Sequence, residues 1–241
     1  MIQTEGIFSG GGSITAPILG TDFLWSGDSD TLQVIDGDPW RIKFLSSGSF
    51  TPLRDMVIDA FLVGAGGGKG YWYCGAGGSG YTTTVRSVVL AANTAYSIVV
   101  GAAGTNGSSN RKNGTNGGAT SAFAASALGG NGSTGGGTAK SYPGADGGSG
   151  GGGYNKSGSH ATLSAADGGT DGADGTTVTS AGGTGQGTTT REFGEADGEL
   201  YASGGGDNLT ATVPNSGNGG AYNIAPADGI VVIRQHKEAA A

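Results

Sequence analysis

The sequence has few of the features that mark disulfide-rich, nucleic-acid-binding or membrane-spanning proteins. Its one cysteine, Cys74, excludes an internal disulfide framework. The 12 Lys and Arg residues are outnumbered by 19 Asp and Glu, and they are scattered apart from the pair Arg111 and Lys112, so no basic face for nucleic acid is present. No apolar run approaches the roughly 20 residues that span a bilayer, and the first residues lack a signal-peptide pattern. We therefore expect a product made soluble in the cytosol, without membrane insertion.

Catalytic and cofactor motifs are equally scarce. Only two histidines occur, His160 and His236, and the GxSxG match at residues 147–151 is expected by chance in so glycine-rich a chain. We expect neither a Ser-His-Asp triad nor a zinc site. Glu192 and Glu195 are a weak candidate for the paired carboxylates of a glycosidase. The sequence thus favours a non-enzymatic protein without cofactors or metals.

Glycine-rich stretches that follow an apolar strand invite a nucleotide-binding interpretation, which fails here. Gly64 to Lys69 lacks the P-loop spacing, and the GxGxxG match at Gly75 to Gly80 has no helix after it. Four aspartates do not follow the EF-hand spacing, which favours solvated turn residues; they are Asp28, Asp30, Asp36 and Asp38. The roles of these aspartates and of Cys74 stay open.

Glycine is what the sequence has in excess. It accounts for 54 of 241 residues, against roughly 7% in average proteins, and only eight of the 54 precede Gly64. We divide the chain into an attachment or lead-in segment (residues 1–39), a glycine-rich β domain (40–235) and a polar tail (236–241).

Five segments predict β-strands. Trp40 to Phe44 alternates apolar and charged side chains, as a half-buried strand does, whereas Met56 to Val63 is apolar throughout except at Asp59, as expected of a strand covered on both faces. Tyr81 to Leu90 and Ala95 to Val100 are predicted to pair as a hairpin. The last strand, Ile230 to Gln235, needs a partner near the beginning, so the glycine-rich stretch must close a loop.

Plain disorder is one interpretation of residues 101–229, because Gly- and Ser-rich sequence often behaves as a flexible linker. Aromatic and aliphatic side chains spaced among the glycines argue against it. Chains of polyproline-II type make no internal hydrogen bonds, and without Cβ atoms they can lie close enough to bond to one another. We therefore predict an all-β fold, a small antiparallel sheet with a body of packed polyglycine-II-like segments; only six prolines and no strict Gly-X-Y period exclude collagen.

Short islands poor in glycine interrupt the glycine-rich stretches. If those stretches are parallel struts, the islands become loops at their ends, where aromatic, amide and cationic side chains form a binding surface. The candidate receptor-binding residues are Tyr71, Trp72, Tyr73, Asn110, Arg111, Tyr142, Tyr154, Asn155, Lys156, His160 and Arg191. The alternative for each aromatic residue is packing, and for each polar one plain solvent exposure.

Seven runs, in this order along residues 40–235, resemble the glycine-rich domains of phage and prophage tail proteins. The runs are Trp40 to Thr51 (WRIKFLSSGSFT), Ile58 to Gly68 (IDAFLVGAGGG), Gly77 to Tyr81 (GGSGY), Ser97 to Ala102 (SIVVGA), Thr190 to Glu195 (TREFGE), Leu200 to Gly206 (LYASGGG) and Gly229 to Arg234 (GIVVIR). More distantly, the chain is similar to the polyglycine-II adhesins that cap the long tail fibres of T-even-like phages.

The resemblance implies a virion protein of the tail or tail fibre, assembled in the host cytoplasm. It implies a receptor-binding adhesin whose loops recognise a host cell-surface glycan or outer-surface protein, while other virion tail or fibre proteins hold it. The alternative is a purely structural virion component. A homotrimer and a monomer both fit, because no coiled-coil heptads decide between them.

Overall fold

The computed structural model describes residues 15–72, 74–109, 112–136, 142–153, 174–175, 190–206 and 209–237. These residues form an all-β fold with two short 3-10 turns, Ser29–Thr31 and Glu192–Gly194, which confirms the predicted class. The strands are β1 (Phe23–Trp25), β2 (Leu32–Ile35), β3 (Arg41–Phe44), β4 (Gly48–Pro52), β5 (Met56–Val63), β6 (Thr82–Leu90), β7 (Tyr96–Val99), β8 (Thr120–Ala122), β9 (Ala125–Ala127) and β10 (Ile230–Gln235). In the described part of the chain, no helix is long and apolar enough to cross a membrane.

The strands build two antiparallel sheets of five, where the sequence predicted one small sheet. The first sheet has the order β1-β4-β7-β8-β9 and the second has the order β2-β3-β10-β5-β6. Side chains from both sheets meet in one buried cluster, which includes Phe23, Phe50 and Ile98 of the first and Ile42 and Leu62 of the second. The sheets therefore pack face to face as a sandwich.

The second sheet is also covered on its outer face. Phe61 and Val63 of β5 and Val232 of β10 point away from the sandwich core and pack with Phe193 and Tyr201 of the segment 190–201, here called the cap. This confirms that Met56 to Val63 is a strand covered on both faces. It also confirms Ile230 to Gln235 as a strand with early partners, because β10 lies between β3 and β5.

The predicted hairpin is wrong in its pairing. Both strands form, but β6 pairs with β5 in the second sheet, whereas β7 pairs with β4 and β8 in the first. Asn93 has a φ of +58° and donates its N–H to Pro52 O at 2.7 Å. This bend takes the chain across the edge of the sandwich, so the link joins two sheets instead of closing a hairpin.

Part of the predicted lead-in segment lies within the sandwich. Within residues 15–39, β1 pairs with β4 and β2 pairs with β3. Asp28 caps the first 3-10 turn by accepting from Asp30 N, and Asp36 accepts from Ala16 N at 2.7 Å. Asp28 therefore organises a turn, and Asp36 ties residue 16 to the end of β2; an attachment role for residues 1–39 stays a prediction.

The glycine-rich segments leave the end of the sandwich and bond to one another at every third residue. The segment after β5 donates its N–H groups to carbonyls of residues 112–118. The donor and acceptor pairs are Ala65 to Gly118, Gly68 to Thr115 and Tyr71 to Lys112. Donors in the segment after β9 are matched to acceptors in the first as Gly130 to Ala65, Ser133 to Gly68 and Gly136 to Tyr71. These N···O distances lie between 2.8 and 3.0 Å. A three-residue step is the period of a polyproline-II helix, so the segments form the predicted bundle, hereafter the glycine body.

Close approach between segments explains why glycine is required. A Cβ added at Gly117 would lie 2.2 Å from Ala65 O, and one added at Gly129 would lie 2.1 Å from Gly117 O. Both acceptors are main-chain atoms, which cannot move aside as a flexible side chain can. The inward position recurs every third residue in Gly101, Gly104 and Gly107, a local period that the sequence already contains.

Candidate binding surface at the end of the glycine body

The main-chain hydrogen bonds between the glycine-rich segments form regular levels, here called rungs, and three of the segments, or struts, end at the same rung. Ala65, Gly118 and Gly130 form the rung nearest the sandwich, and Tyr71, Lys112 and Gly136 form the rung two steps further out. Six residues of polyproline-II chain separate Ala65 from Tyr71, which corresponds to roughly 19 Å at about 3.1 Å per residue. The three strut ends at Tyr71, Lys112 and Gly136 therefore share one surface, here called the tip, remote from the sandwich.

Tyr71 and Trp72 form the aromatic part of the tip. Their rings stack with centroids 5.6 Å apart and an interplanar angle of 19°. Trp72 is 47% exposed and has a φ of +50°, an uncommon conformation for a bulky residue. Tyr71 is fixed at its main chain, because its N–H donates to Lys112 O at 2.9 Å and its carbonyl accepts from Gly136 N at 2.9 Å. The stacked pair is thus a preorganised aromatic surface.

Tyr142 lies beside Cys74 and Gly75, which follow Trp72 in the glycine-rich segment after β5. Its carbonyl accepts from Gly75 N at 2.9 Å, and its main chain forms an isolated bridge with Cys74. Cys74 is buried, donates its Sγ–H to Gly70 O at 3.0 Å and lies 3.3 Å from Lys69 Nζ. Cys74 therefore belongs to the packing directly beneath the tip, and Tyr142 lies near its margin.

Arg191 lies apart from the tip. It precedes the 3-10 turn of the cap, and its Nη1 donates to Gly198 O at 3.0 Å within the same segment. The cap packs on the outer face of β5 and β10 through Phe193 and Tyr201. Arg191 is therefore held in the cap over the sandwich, and the structure does not bring it together with Tyr71, Trp72 and Tyr142.

The remaining candidate receptor-binding residues lie outside the described residues. They are Tyr73, Asn110, Arg111, Tyr154, Asn155, Lys156 and His160. Their roles stay predictions.

The cap is held to β3 by charge. Glu192 is buried, and its carboxylate lies 2.7 Å from Arg41 Nε and 3.5 Å from Lys43 Nζ. Lys43 also lies 2.7 Å from Glu199 Oε2 and donates to the Tyr201 hydroxyl at 3.0 Å. Burial, with the nearby carboxylates of Glu192 and Glu199, raises the pKa of Tyr201 far above its usual range. The carboxylates of Glu192 and Glu199 are therefore engaged in ion pairs that fasten the cap.

A second polar cluster surrounds Asp59, the charged residue within the apolar strand β5. Its Oδ2 accepts from Arg86 Nη1 at 3.3 Å and from Arg234 Nε at 3.2 Å, and its Oδ1 accepts from Ser87 N at 3.1 Å. Arg234 also pairs with Glu195 and lies over the Phe193 ring, 4.1 Å from its centroid. Burial opposes ionisation of Asp59, but hydrogen bonds from His236, Ser87 and Arg234 together lower its pKa.

The same cluster brings a serine and a histidine onto Asp59. His236 Nδ1 lies 2.7 Å from Asp59 Oδ1, and His236 Nε2 lies 3.0 Å from Ser87 Oγ. The expectation that the chain lacks a catalytic Ser-His-Asp triad stays a prediction, although these three side chains do lie in contact. Sequence reasoning missed the site because its members come from β5, β6 and the segment after β10; the one signal was a carboxylate inside an apolar strand. Among the described residues, no group of three His, Cys, Asp or Glu side chains is placed to hold a metal ion.

A family model described as a glycine-rich domain matches residues 45–235, which is most of the chain. No curated protein sequence matches the chain. The chain belongs to the glycine-rich domain family.

Proposed function

We propose that this chain is a receptor-binding adhesin of a phage tail fibre or tail tip, and that the tip of its glycine body binds the host cell surface. The observation that carries the proposal is the common level of Tyr71, Lys112 and Gly136 in the hydrogen-bond ladder. Three strut ends at one level bring the exposed side chains of Trp72 and Lys112 onto one surface, as a binding site requires.

Rigidity of the glycine body supports this proposal. Its segments are joined by main-chain hydrogen bonds in several directions, and Cβ atoms at the inward positions would overlap neighbouring carbonyls. A loop held on such a scaffold loses little conformational entropy when it binds, and affinity rises accordingly. In this proposal the glycines hold the loops in place and do not contact the receptor.

The chemistry of the tip suits a glycan or a polar outer-surface protein. Trp72 exposes apolar ring area beside Tyr71, and Lys112 and Asn113 are exposed on the neighbouring strut. Aromatic rings contribute contact area at low entropic cost, while amide and ammonium groups donate to hydroxyl or carbonyl oxygens. An acidic net charge of -7 does not favour nucleic acid as the partner.

The assignment to a phage virion is supported by the ordered motifs along residues 40–235, which resemble those of tail proteins. In this proposal the protein assembles into the tail or fibre in the host cytoplasm, and residues 1–39 contact other virion proteins. Several apolar side chains exposed on or near β1 and β2 suit such contacts; they are Ile18, Leu19, Leu24, Val34 and Ile35. The same observation favours the second candidate, a purely structural tail or fibre component.

Binding of the fluorescently labelled full chain to a panel of intact bacterial cells tests the proposal. We expect saturable binding that the double substitution of Trp72→Ala and Lys112→Ala weakens at least tenfold. Val89→Ala is the matched control, because Val89 is strongly exposed on β6 of the sandwich. Equal binding by both variants would refute the tip as the binding surface. Failure of the unsubstituted, folded chain to bind any strain of a broad panel would favour the structural component.

A further inference from the structure

The cluster of Ser87, His236 and Asp59 has the contacts of a nucleophile, a general base and the group that orients the base. The two hydrogen bonds, 3.0 Å from Ser87 Oγ to His236 Nε2 and 2.7 Å from His236 Nδ1 to Asp59 Oδ1, both lie within the range used in acyl transfer. Each imidazole nitrogen faces a different partner, so the ring is oriented with Nε2 towards the serine.

Asp59 is held in place from four directions. It is 2% exposed, and besides His236 its carboxylate contacts Arg86, Arg234 and the main-chain N–H of Ser87. A carboxylate fixed in this way cannot rotate away from His236. It stays anionic and stabilises the imidazolium that forms when His236 accepts a proton.

Ser87 is presented by a β-bulge. The register between β5 and β6 shifts between Ile58 and Ala60, so that Arg86 and Ser87 both lie opposite Asp59. Ser87 has a φ of +55°, a left-handed conformation that serine rarely adopts, and it is exposed on the outermost strand of its sheet. The bulge accounts for the bond from Ser87 N to Asp59, but it does not account for His236, which comes from 149 residues further along the chain. Strained exposed residues of this kind cluster at functional sites.

We propose that Ser87, His236 and Asp59 form a hydrolytic site for small, exposed carboxylic acyl esters such as acetyl esters. Ser87 Oγ attacks the carbonyl carbon while its proton passes to His236 Nε2. The ester C–O bond then breaks, and His236 returns the proton to the departing alcohol, which leaves Ser87 acylated. Water attacks this acyl group through the same base, so that a carboxylic acid leaves and Ser87 is regenerated without oxidant or cofactor.

Arg86 supplies the positive charge for the oxyanion. Its side chain is 50% exposed, and its guanidinium donates to Asp59 Oδ2 and to Phe193 O at 2.6 Å. A guanidinium carries five N–H donors, so further donors are available to a carbonyl oxygen that becomes negative. The open position on an outer strand favours acyl groups that project from a larger molecule.

This activity goes beyond adhesion and departs from the expectation of a non-enzymatic chain. It does not depend on the tip, since the site lies on the sandwich and its residues are distinct from Trp72 and Lys112. Failure of one proposal therefore leaves the other standing.

Labelling of the full chain with a fluorophosphonate, followed by peptide mass spectrometry, tests the nucleophile. We expect the label on Ser87, its loss in Ser87→Gly, and unchanged labelling in Ser126→Ala, a control on the exposed strand position of β9. Glycine is chosen because it accepts the positive φ and retains the N–H that bonds to Asp59. His236→Gln should slow labelling at least a hundredfold, since a positioned general base contributes about 10²–10⁴-fold.

Hydrolysis of p-nitrophenyl acetate, with acyl-Ser87 trapped by acid quench, tests turnover. We expect an acetylated Ser87 peptide that is absent from Ser87→Gly and scarce in His236→Gln, with both variants unfolding at temperatures within a few degrees of the unsubstituted chain. The inference is overturned if no label reaches Ser87, if other serines are labelled at the same rate, or if His236→Gln is labelled as fast as the unsubstituted chain.

Discussion

Two adjacent glycines allow a direct test of close packing in the glycine body. In Gly117→Ala the new Cβ would lie 2.2 Å from Ala65 O and 2.6 Å from the carbon that carries it. In Gly118→Ala the nearest atom, Ala102 N, would be 3.0 Å away, which neighbouring atoms can accommodate by a small shift. The two substitutions make the same chemical change in one strut, so the difference between them measures close approach.

The expected cost of Gly117→Ala follows from the contacts. An ordinary contact requires the two struts to separate by about 1 Å, and overpacking of this kind costs roughly 1–3 kcal/mol. Separation also strains the bonds from Gly117 N to Gly130 O and from Gly130 N to Ala65 O, each worth about 1 kcal/mol. We expect a loss of about 3 kcal/mol, against less than about 1 kcal/mol for Gly118→Ala, where reduced freedom of the unfolded chain offsets mild crowding.

Urea denaturation of the unsubstituted chain, Gly117→Ala and Gly118→Ala, followed by circular dichroism and tryptophan fluorescence, measures the loss in free energy of unfolding that each substitution causes. An unchanged slope with a lower midpoint for Gly117→Ala would locate the effect in the folded state. If the two variants differ by less than about 0.5 kcal/mol, the close approach of the struts does not determine the need for glycine.

Four further predictions concern the sandwich and its cap. Asp59→Asn should cost about 2 kcal/mol in urea denaturation, because buried Arg234 would lose one of its two carboxylate partners and keep only Glu195; Asp22→Asn, on a more exposed pair with Arg54, is the control. The folded-state pKa of Asp59 lies below its ordinary value of 3.8, so its stabilisation is complete above that value and should be lost as the pH falls through the folded pKa; a thermal midpoint no more acid-sensitive than that of Asp59→Asn would contradict this. Because the folded-state pKa of Tyr201 lies above 10.0, the contribution of Tyr201 to stability is present below pH 10 and lost as the pH rises. The Tyr201 phenol stays protonated in the folded protein, so Tyr201→Phe should leave the phenolate absorbance unchanged up to the alkaline unfolding transition. Phe193→Ala should cost about 3 kcal/mol by loss of its contacts with Phe61 and Arg234, whereas an equal loss from Leu200→Ala, at an exposed position of the cap, would contradict that account.

Strands with a clear apolar pattern were predictable, but their partners were less so. Alternation identified β3, and a continuous apolar run identified β5, because each pattern reports how many faces of a strand are covered. The same patterns contain nothing about which strand lies alongside. Tyr81 to Leu90 and Ala95 to Val100 therefore suggested a hairpin, although the positive φ of Asn93 turns the chain towards the other sheet.

The candidate sites, like the strands, could be predicted from the sequence only in part. Packed polyglycine-II-like struts followed from the physics of chains without Cβ atoms, and the rungs at Tyr71 and Lys112 agree with that reasoning. The meeting of Ser87 with His236 and Asp59 could not be predicted, because it depends on strand register across the whole chain. Asp59 alone was visible in the sequence, as a charge in a strand with no exposed face.

The three-residue step of the rungs has a consequence for how the length of the protein can change. Deleting three residues from a strut shortens it by one rung and keeps the same positions facing inward. Deleting one or two rotates every later residue by a third or two thirds of a turn, which drives side chains such as Thr115 into spaces that admit only hydrogen. Natural length variants of the struts should therefore differ in multiples of three.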